Sequence, residues 1–235
     1  MTLLNLLWGY FLVPESLKPE RRSSELRLVQ LNPFTQIVGL FKMAAIRPLL
    51  IAGVLFMVPF AMSQTTLTLL MKDSLGWGPD QVSFVYIVVG ISDIIVQGLL
   101  LGWLIKLLKD RGVALLGLLL SSGGFCGFAL LPVFPSSLLV FASILAFGIG
   151  EGIFTASLGS LISQAAGDDA QGRVQGGNQA TQSLAQVAGP LIGGPLYSRV
   201  SSSAPFFTGT GLVLLGALIL GVGTQPKRVT KPLEV

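Results

Sequence analysis

Two acids and a row of amides are the residues here whose types and spacing suit chemistry inside a membrane. Asp93 and Gln97 stand four apart in an apolar run. A helix puts them on one face, with Tyr86 and Gly90 on the same stripe. Glu151 lies in the glycine-rich run GIGEG, with Thr155 one turn on. Gln175, Gln179, Gln182, Gln186, Gly189 and Gly193 recur at steps of 4, 3, 4, 3 and 4, bordered by Asn178 and Ser183. That is a single stripe along one helical face. Gln64 sits beside Ser63, Thr65, Thr66 and Thr68, with Pro59 upstream, in a weaker polar patch.

A charge at mid-bilayer costs at least a few kcal/mol and is rarely lipid-facing, so both acids are expected to face protein or water. Two readings stay open for each. A protonated carboxyl can hydrogen-bond a neighbouring helix, with the GIGEG glycines serving close packing. Alternatively it is a proton or cation site, since a carboxyl that alternates between dry and wet settings can carry protons. The amide row has two readings as well: the wall of a wet cavity, or glue between helices. Four glutamines exceed what packing needs, which favours the cavity. Below them the stripe turns into AQVAGPLIGG, where small residues allow close backbone approach and Pro190 permits a bend.

Other chemistry is excluded by composition. The chain has no histidine and one cysteine, Cys126. No Ser-His-Asp or Cys-His set exists, no disulfide framework is possible, and zinc or haem ligation is not expected. The sequence predicts no enzyme, no metal and no cofactor. No basic cluster interleaved with aromatics points to nucleic acid.

The elements that must position these residues are six apolar stretches, at 48–71, 82–105, 112–132, 137–163, 174–198 and 205–224. Each is long enough to cross a bilayer, which takes about 20 residues of helix. Asp93 then lies roughly 17 Å deep and Glu151 on the order of 20 Å, both near the bilayer centre. Charged residues make up 11% of the chain and 51% is hydrophobic; mean hydropathy is +0.76 and the pI about 9.5. Basic residues sort by connection. Lys18, Arg21, Arg22, Arg27, Lys42 and Arg47 fall in 14–47, Lys106, Lys109 and Arg111 in 106–111, Arg173 in 164–173, and Lys227, Arg228 and Lys231 in the tail. Only Lys72 and Arg199 lie on the other side. The positive-inside rule puts 14–47 and the C-terminus in the cytoplasm of a multi-pass protein of the cell (inner) membrane. The third and sixth stretches hold no charged or amide residue and are expected to face lipid all round.

The connection GWLIKLLKDRG runs from Gly102 to Gly112. It reads as a tight cytoplasmic turn or as a gating latch in which Lys109, Asp110 and Arg111 meet helix ends. Residues 1–13 are apolar but too short to span, with no basic residue before them and no small-residue cleavage site after. They read as the last half of a transmembrane helix, with Met1 inside a longer ancestral chain. In the charged segment 14–47, the stretch from Pro33 to Phe41 suits a short amphipathic helix on the membrane surface. The tail, 225–235, is polar.

Four stretches carry a family likeness: FLVPESLKPERR (Phe11 to Arg22), LNPFTQI (Leu31 to Ile37), GWLIKLLKDRG, and QGRVQGGNQATQSLAQVAGPLIGGPLY (Gln171 to Tyr197). With them the chain resembles the C-terminal half of a major facilitator superfamily transporter, and among these the tetracycline-exporter type of drug/proton antiporter. The resemblance implies an all-α membrane fold: six transmembrane helices (48–224) forming one half of the superfamily fold, preceded by a truncated sixth helix (1–13) and the central cytoplasmic loop (14–47). It implies that the first, second, fourth and fifth stretches line a cavity, and that two halves rock around a central site to exchange a drug for protons. Asp93 and Glu151 become proton or cation candidates. Gln64, Tyr86, Gln97, Thr155, Asn178, Gln179, Gln182 and Gln186 become the polar wall for a small-molecule substrate. Gly102, Lys109, Asp110, Arg111 and Gly112 become the gating loop. The partners implied are the lipid bilayer, protons, and either the missing N-terminal half or a second copy. Tetracycline exporters tend to carry a histidine at the place of Asp93, and an acid there suits proton coupling or a cationic drug. The Gly189–Gly194 run resembles the family's antiporter motif but falls in the eleventh helix.

Overall fold

The computed structural model of the chain describes residues 33–166 and 171–223. The expected half helix at 1–13, most of the loop that follows it, the four residues 167–170 and the tail lie outside the described residues. Pro33–Phe41 forms the short helix expected there (α1) and packs on a later helix, with Leu40 buried in the core. The remaining elements are α2 (Arg47–Leu75), α3 (Pro79–Ile95) followed by a turn of π-helix (Val96–Leu100), α4 (Leu101–Leu130), α5 (Ser137–Ala166), α6 (Gln171–Pro195) with a π turn at Leu196–Val200, and α7 (Ala204–Val222). No strand occurs among the described residues.

Helix limits follow local chemistry. Proline opens α2, α3 and α7, where its missing N–H is not needed. Gly76 closes α2 in the left-handed region (φ 68°), donating its N–H to the Lys72 carbonyl at 2.9 Å. Four helical runs are long and apolar enough to cross a membrane: 47–75, 79–130, 137–166 and 204–222. The second is 52 residues long, more than twice what a bilayer needs. It contains the expected break. Lys109 leaves helical geometry (φ 59°, ψ 164°), a conformation that costs a side chain about 1–3 kcal/mol. The chain doubles back there, because Leu101, Leu104 and Ile105 pack with Leu116 and Leu120 around Val96, Val113 and Ile153. One residue takes up the reversal, where the sequence suggested a six-residue connection. The fifth apolar stretch is helical (α6) but falls outside the four, because its amides lower its hydropathy.

The core is built on aromatic rings and small residues. Phe56 meets Phe154 at 4.8 Å between ring centroids, Phe125 meets Phe147 at 5.0 Å, and Phe128 meets Phe206 at 5.8 Å. Helices α4 and α5 approach most closely. A Cβ on Gly117 would lie 2.7 Å from the Gly150 carbonyl oxygen, and one on Gly124 2.6 Å from that of Ser143. The expectation that the third and sixth stretches face lipid all round is therefore corrected. Both have a dry face, α4 through Gly117, Ser121 and Gly124, α7 through Gly209 and Gly216. Without polar groups, helices in lipid associate through close van der Waals packing at such small residues.

By contrast, α3 buries only Val82 and Val85. Ile87, Ile91 and Ile94 on it, and Leu184, Val187 and Leu191 on α6, remain exposed.

Two ends of the bundle can be told apart by their contacts. At one, Arg111 donates to the carbonyls that end α7: Nε to Leu220 at 3.0 Å, Nη2 to Leu220 at 2.6 Å and Gly221 at 3.1 Å, and Nη2 also to Gly223. At the other, the Tyr197 hydroxyl donates to Asp73 at 2.6 Å, and Ser203 donates to the Ala129 carbonyl at 2.7 Å.

Candidate functional site

Helix α5 carries both halves of the candidate site, at successive levels along its length. Gly148, Gly150 and Gly152 alternate along it. Gly150 packs on α4, whereas Gly148 and Gly152 face α3. That sets Asp93 and Gln97 directly against Gly152: a Cβ there would lie 3.3 Å from Asp93 Oδ1 and 3.7 Å from Gln97 Nε2. Asp93 Oδ1 is buried and has no hydrogen-bond partner among the described residues. Glu151 is half-buried on the adjoining position of α5. The π turn begins three residues after Asp93, and such turns frequently occur at functional sites. An unpartnered carboxylate oxygen in a dry seam is costly unless a proton or cation satisfies it.

Further along α5 lies a cavity of about 230 Å³ between α2, α5 and α6. Thr155, Gln175, Asn178, Gln179 and Gln182 supply its polar wall, and Phe56, Met57 and Phe154 its apolar one. Asn178 is buried; Gln179 is exposed. A second cavity of about 320 Å³, lined by Ser163, Gln171 and Gln175, shares Gly159 and Gln175 with the first. Together they run along the amide row toward the start of α6. Further along the stripe the surroundings change. Gln186 has its amide 4.0 Å from Met57 Sδ, and Gly189 and Gly193 pack on Ala61 and Met62 with no room for a side chain. The stripe read from the sequence thus borders open space in its first half and a helix contact in its second.

The structure brings Thr155, Asn178, Gln179 and Gln182 together in the cavity, and Asp93, Gln97 and Glu151 at the α3–α5 seam. It places Gln64 and Tyr86 elsewhere. Gln64 is exposed on α2 and lines neither cavity, and the Tyr86 hydroxyl is 3.5 Å from Thr68 Oγ1. Ser63, Thr65 and Thr66 return their hydroxyls to carbonyls of their own helix. Thr155 donates to the Glu151 backbone carbonyl at 2.9 Å, not to its carboxylate. In the connection from Gly102 to Gly112, Lys109 makes the break and Gly112 lies tight against Leu108. Asp110 accepts from Gln164 at the end of α5 at 3.0 Å. Its charges therefore meet the ends of α5 and α7 within this bundle. Among the described residues no metal-binding cluster of acids and cysteine forms.

The Major Facilitator Superfamily model matches residues 1–176 and again 49–234. The chain belongs to that superfamily. It is 28% identical to the tetracycline resistance protein, class E, of Escherichia coli over 237 residues, which cover 98% of this chain and 56% of the relative. It is 26% identical to the class C tetracycline resistance protein of the same organism, over 92% of this chain and 52% of the relative. The chain thus spans about half the length of the curated relatives it matches. Membership of the superfamily places it among membrane transporters rather than enzymes.

The features that sequence reasoning missed are the π turn at Val96–Leu100 and the Tyr197–Asp73 contact. Gly148 and Gly152, four apart, were a readable signal of close approach. Nothing local announces the π turn.

Proposed function

We propose that this chain is one half of a secondary active transporter that exports small amphiphilic compounds in exchange for protons by alternating access. The observation that carries this is the amide row itself. Gln175, Asn178, Gln179 and Gln182 border open space beside α2 and α5. Polar groups on a membrane helix are costly unless they meet water, protein or a ligand. In this reading Asp93 is the proton or cation site, with Glu151 second, and the amides hold the polar part of the substrate. Six helices within 48–224 cross the cell (inner) membrane, the basic end of the bundle and the C-terminus being cytoplasmic. Residues 1–13 end a preceding helix, and 14–47 form the central loop. The Asp110 and Arg111 contacts hold the cytoplasmic ends of α5 and α7 and release them as the halves rock.

A cavity walled on one side needs another wall. The exposed apolar faces of α3 and α6 fit a second six-helix unit, supplied as an N-terminal half or as a second copy. Superfamily halves are repeats of one another, and the two overlapping family matches, 1–176 and 49–234, agree with that. Crosslinking in detergent distinguishes the sources, since a second copy gives a dimer of this chain. The relatives' names point to tetracycline resistance; an acid at Asp93 favours a cationic amphiphile. In vesicles holding the complete transporter, Asp93→Asn abolishes efflux driven by an imposed proton gradient. Unchanged efflux refutes the assignment.

A further inference from the structure

At the end of the bundle away from Arg111, a groove of about 540 Å³ opens between the start of α3 and α5. Trp77, Phe84 and Phe141 line it, with Asp80, Gln81 and Ser137 at its rim. The rings converge on Phe141. Trp77 stands 6.1 Å from it, tilted by 46°, and Phe84 stands 6.0 Å away edge-on at 79°. Phe84 is 56% exposed, although it meets another ring. Asp80 is the only charged residue in the lining. It forms no ion pair among the described residues, and the α3 N-terminus is capped without it, because Gln81 Oε1 accepts the Gly78 N–H at 3.0 Å.

Aromatic residues at a membrane surface commonly serve only as interfacial anchors. Such anchors need neither a shared cavity nor a carboxylate. Ring faces carry partial negative charge and attract cations within about 6 Å of the centroid, and the carboxylate adds a full charge of the same sign. The volume falls in the range of small-molecule pockets, about 300–1,000 Å³.

We propose that this groove is a binding site for an organic ammonium group, separate from the amide cavity. The ammonium is either that of a free cation or that of a lipid headgroup such as phosphatidylethanolamine. The site does not depend on the transport reading, since its lining shares no residue with the cavity between α2, α5 and α6.

The test uses the full chain with Trp8→Phe and Trp103→Phe, which leaves Trp77 as the reporter. In detergent, phenyltrimethylammonium produces a saturable change in Trp77 emission. Asp80→Asn weakens it by about tenfold, equivalent to about 1.4 kcal/mol. Asp80→Glu restores binding, Asp93→Asn leaves it unaltered, and neutral tert-butylbenzene does not compete. In nanodiscs of phosphatidylglycerol alone the cation binds as in detergent. Adding phosphatidylethanolamine weakens it if the headgroup is an occupant and leaves it unchanged if only a free cation is. A Trp77 signal that does not saturate, or that Asp80→Asn leaves intact in a chain of unchanged size-exclusion profile, overturns the proposal.

Discussion

Two successive levels of α5, at Gly152 and at Thr155, differ in what they face. Toward α3 it presents Gly152, and the neighbouring helix closes on it until Asp93 Oδ1 has neither water-sized space nor a partner. Toward α2 and α6 it presents Thr155, and the helices stand apart around about 230 Å³ of open, amide-lined space. Thr155 follows Glu151 by four residues, about 6 Å along the axis. A charge-bearing seam and a substrate-sized cavity therefore share one helix. In the proposed mechanism, a movement of α5 would bear on both levels.

The largest effect is expected on the acid side. Asp93→Asn removes the first of the two carboxyls at the seam, so proton-driven efflux is expected to fall to background while substrate binding in the cavity persists. Equal loss of both would mean that the seam and the cavity are not separable. Next come the glycines, which distinguish a seam that holds the fold from one that holds a site. Gly150→Ala drives a methyl to 2.5 Å from the Gly117 carbonyl oxygen; overpacking of this kind costs about 1–3 kcal/mol, read as a lower melting temperature in detergent. Gly152→Ala meets side chains and no backbone: the Asp93 carboxylate at 3.3 Å, with Val96 at 3.6 Å and Gln97 at 3.7 Å. It is expected to leave melting nearly unchanged and to impair coupling. The reverse order would show that the α3–α5 contact is structural.

Smaller effects belong to the cavity and the loop. Gln179→Ala or Gln182→Ala removes one hydrogen-bonding group, worth about 0.5–1.5 kcal/mol, so substrate affinity drops several-fold with stability unaffected. Arg111→Ala leaves the last carbonyls of α7 without their donors, a loss on the order of 1 kcal/mol at a helix C-terminus. Thermal unfolding reports it. Arg111→Lys recovers part of the loss, since an ammonium cannot reproduce the guanidinium fork.

Much of this arrangement was legible because helical spacing is a strong signal. The 4-3-4-3-4 stripe identified the face of α6 that meets the cavity, and its change from glutamine to glycine marked the point where α6 closes on Ala61 and Met62. The place of Asp93 and Glu151 within long apolar helices was readable from span length. Which helix each acid meets was not, because that depends on the packing order of helices far apart in sequence. Gln64 and Tyr86, expected in the cavity wall, do not line the space that α2, α5 and α6 enclose. The dry faces of α4 and α7 were missed because polarity alone was weighed. Gly117, Ser121 and Gly124, spaced by four and three, carried the information in size instead.

The central claim is that the amide row borders water, and thiol accessibility tests it most directly. In a Cys126→Ala background, Gln179→Cys and Gln182→Cys are expected to react with a membrane-impermeant maleimide added to inside-out vesicles, whereas Gly193→Cys, against Met62, stays unlabelled. Silence at positions 179 and 182 in a folded, membrane-inserted protein would contradict the account.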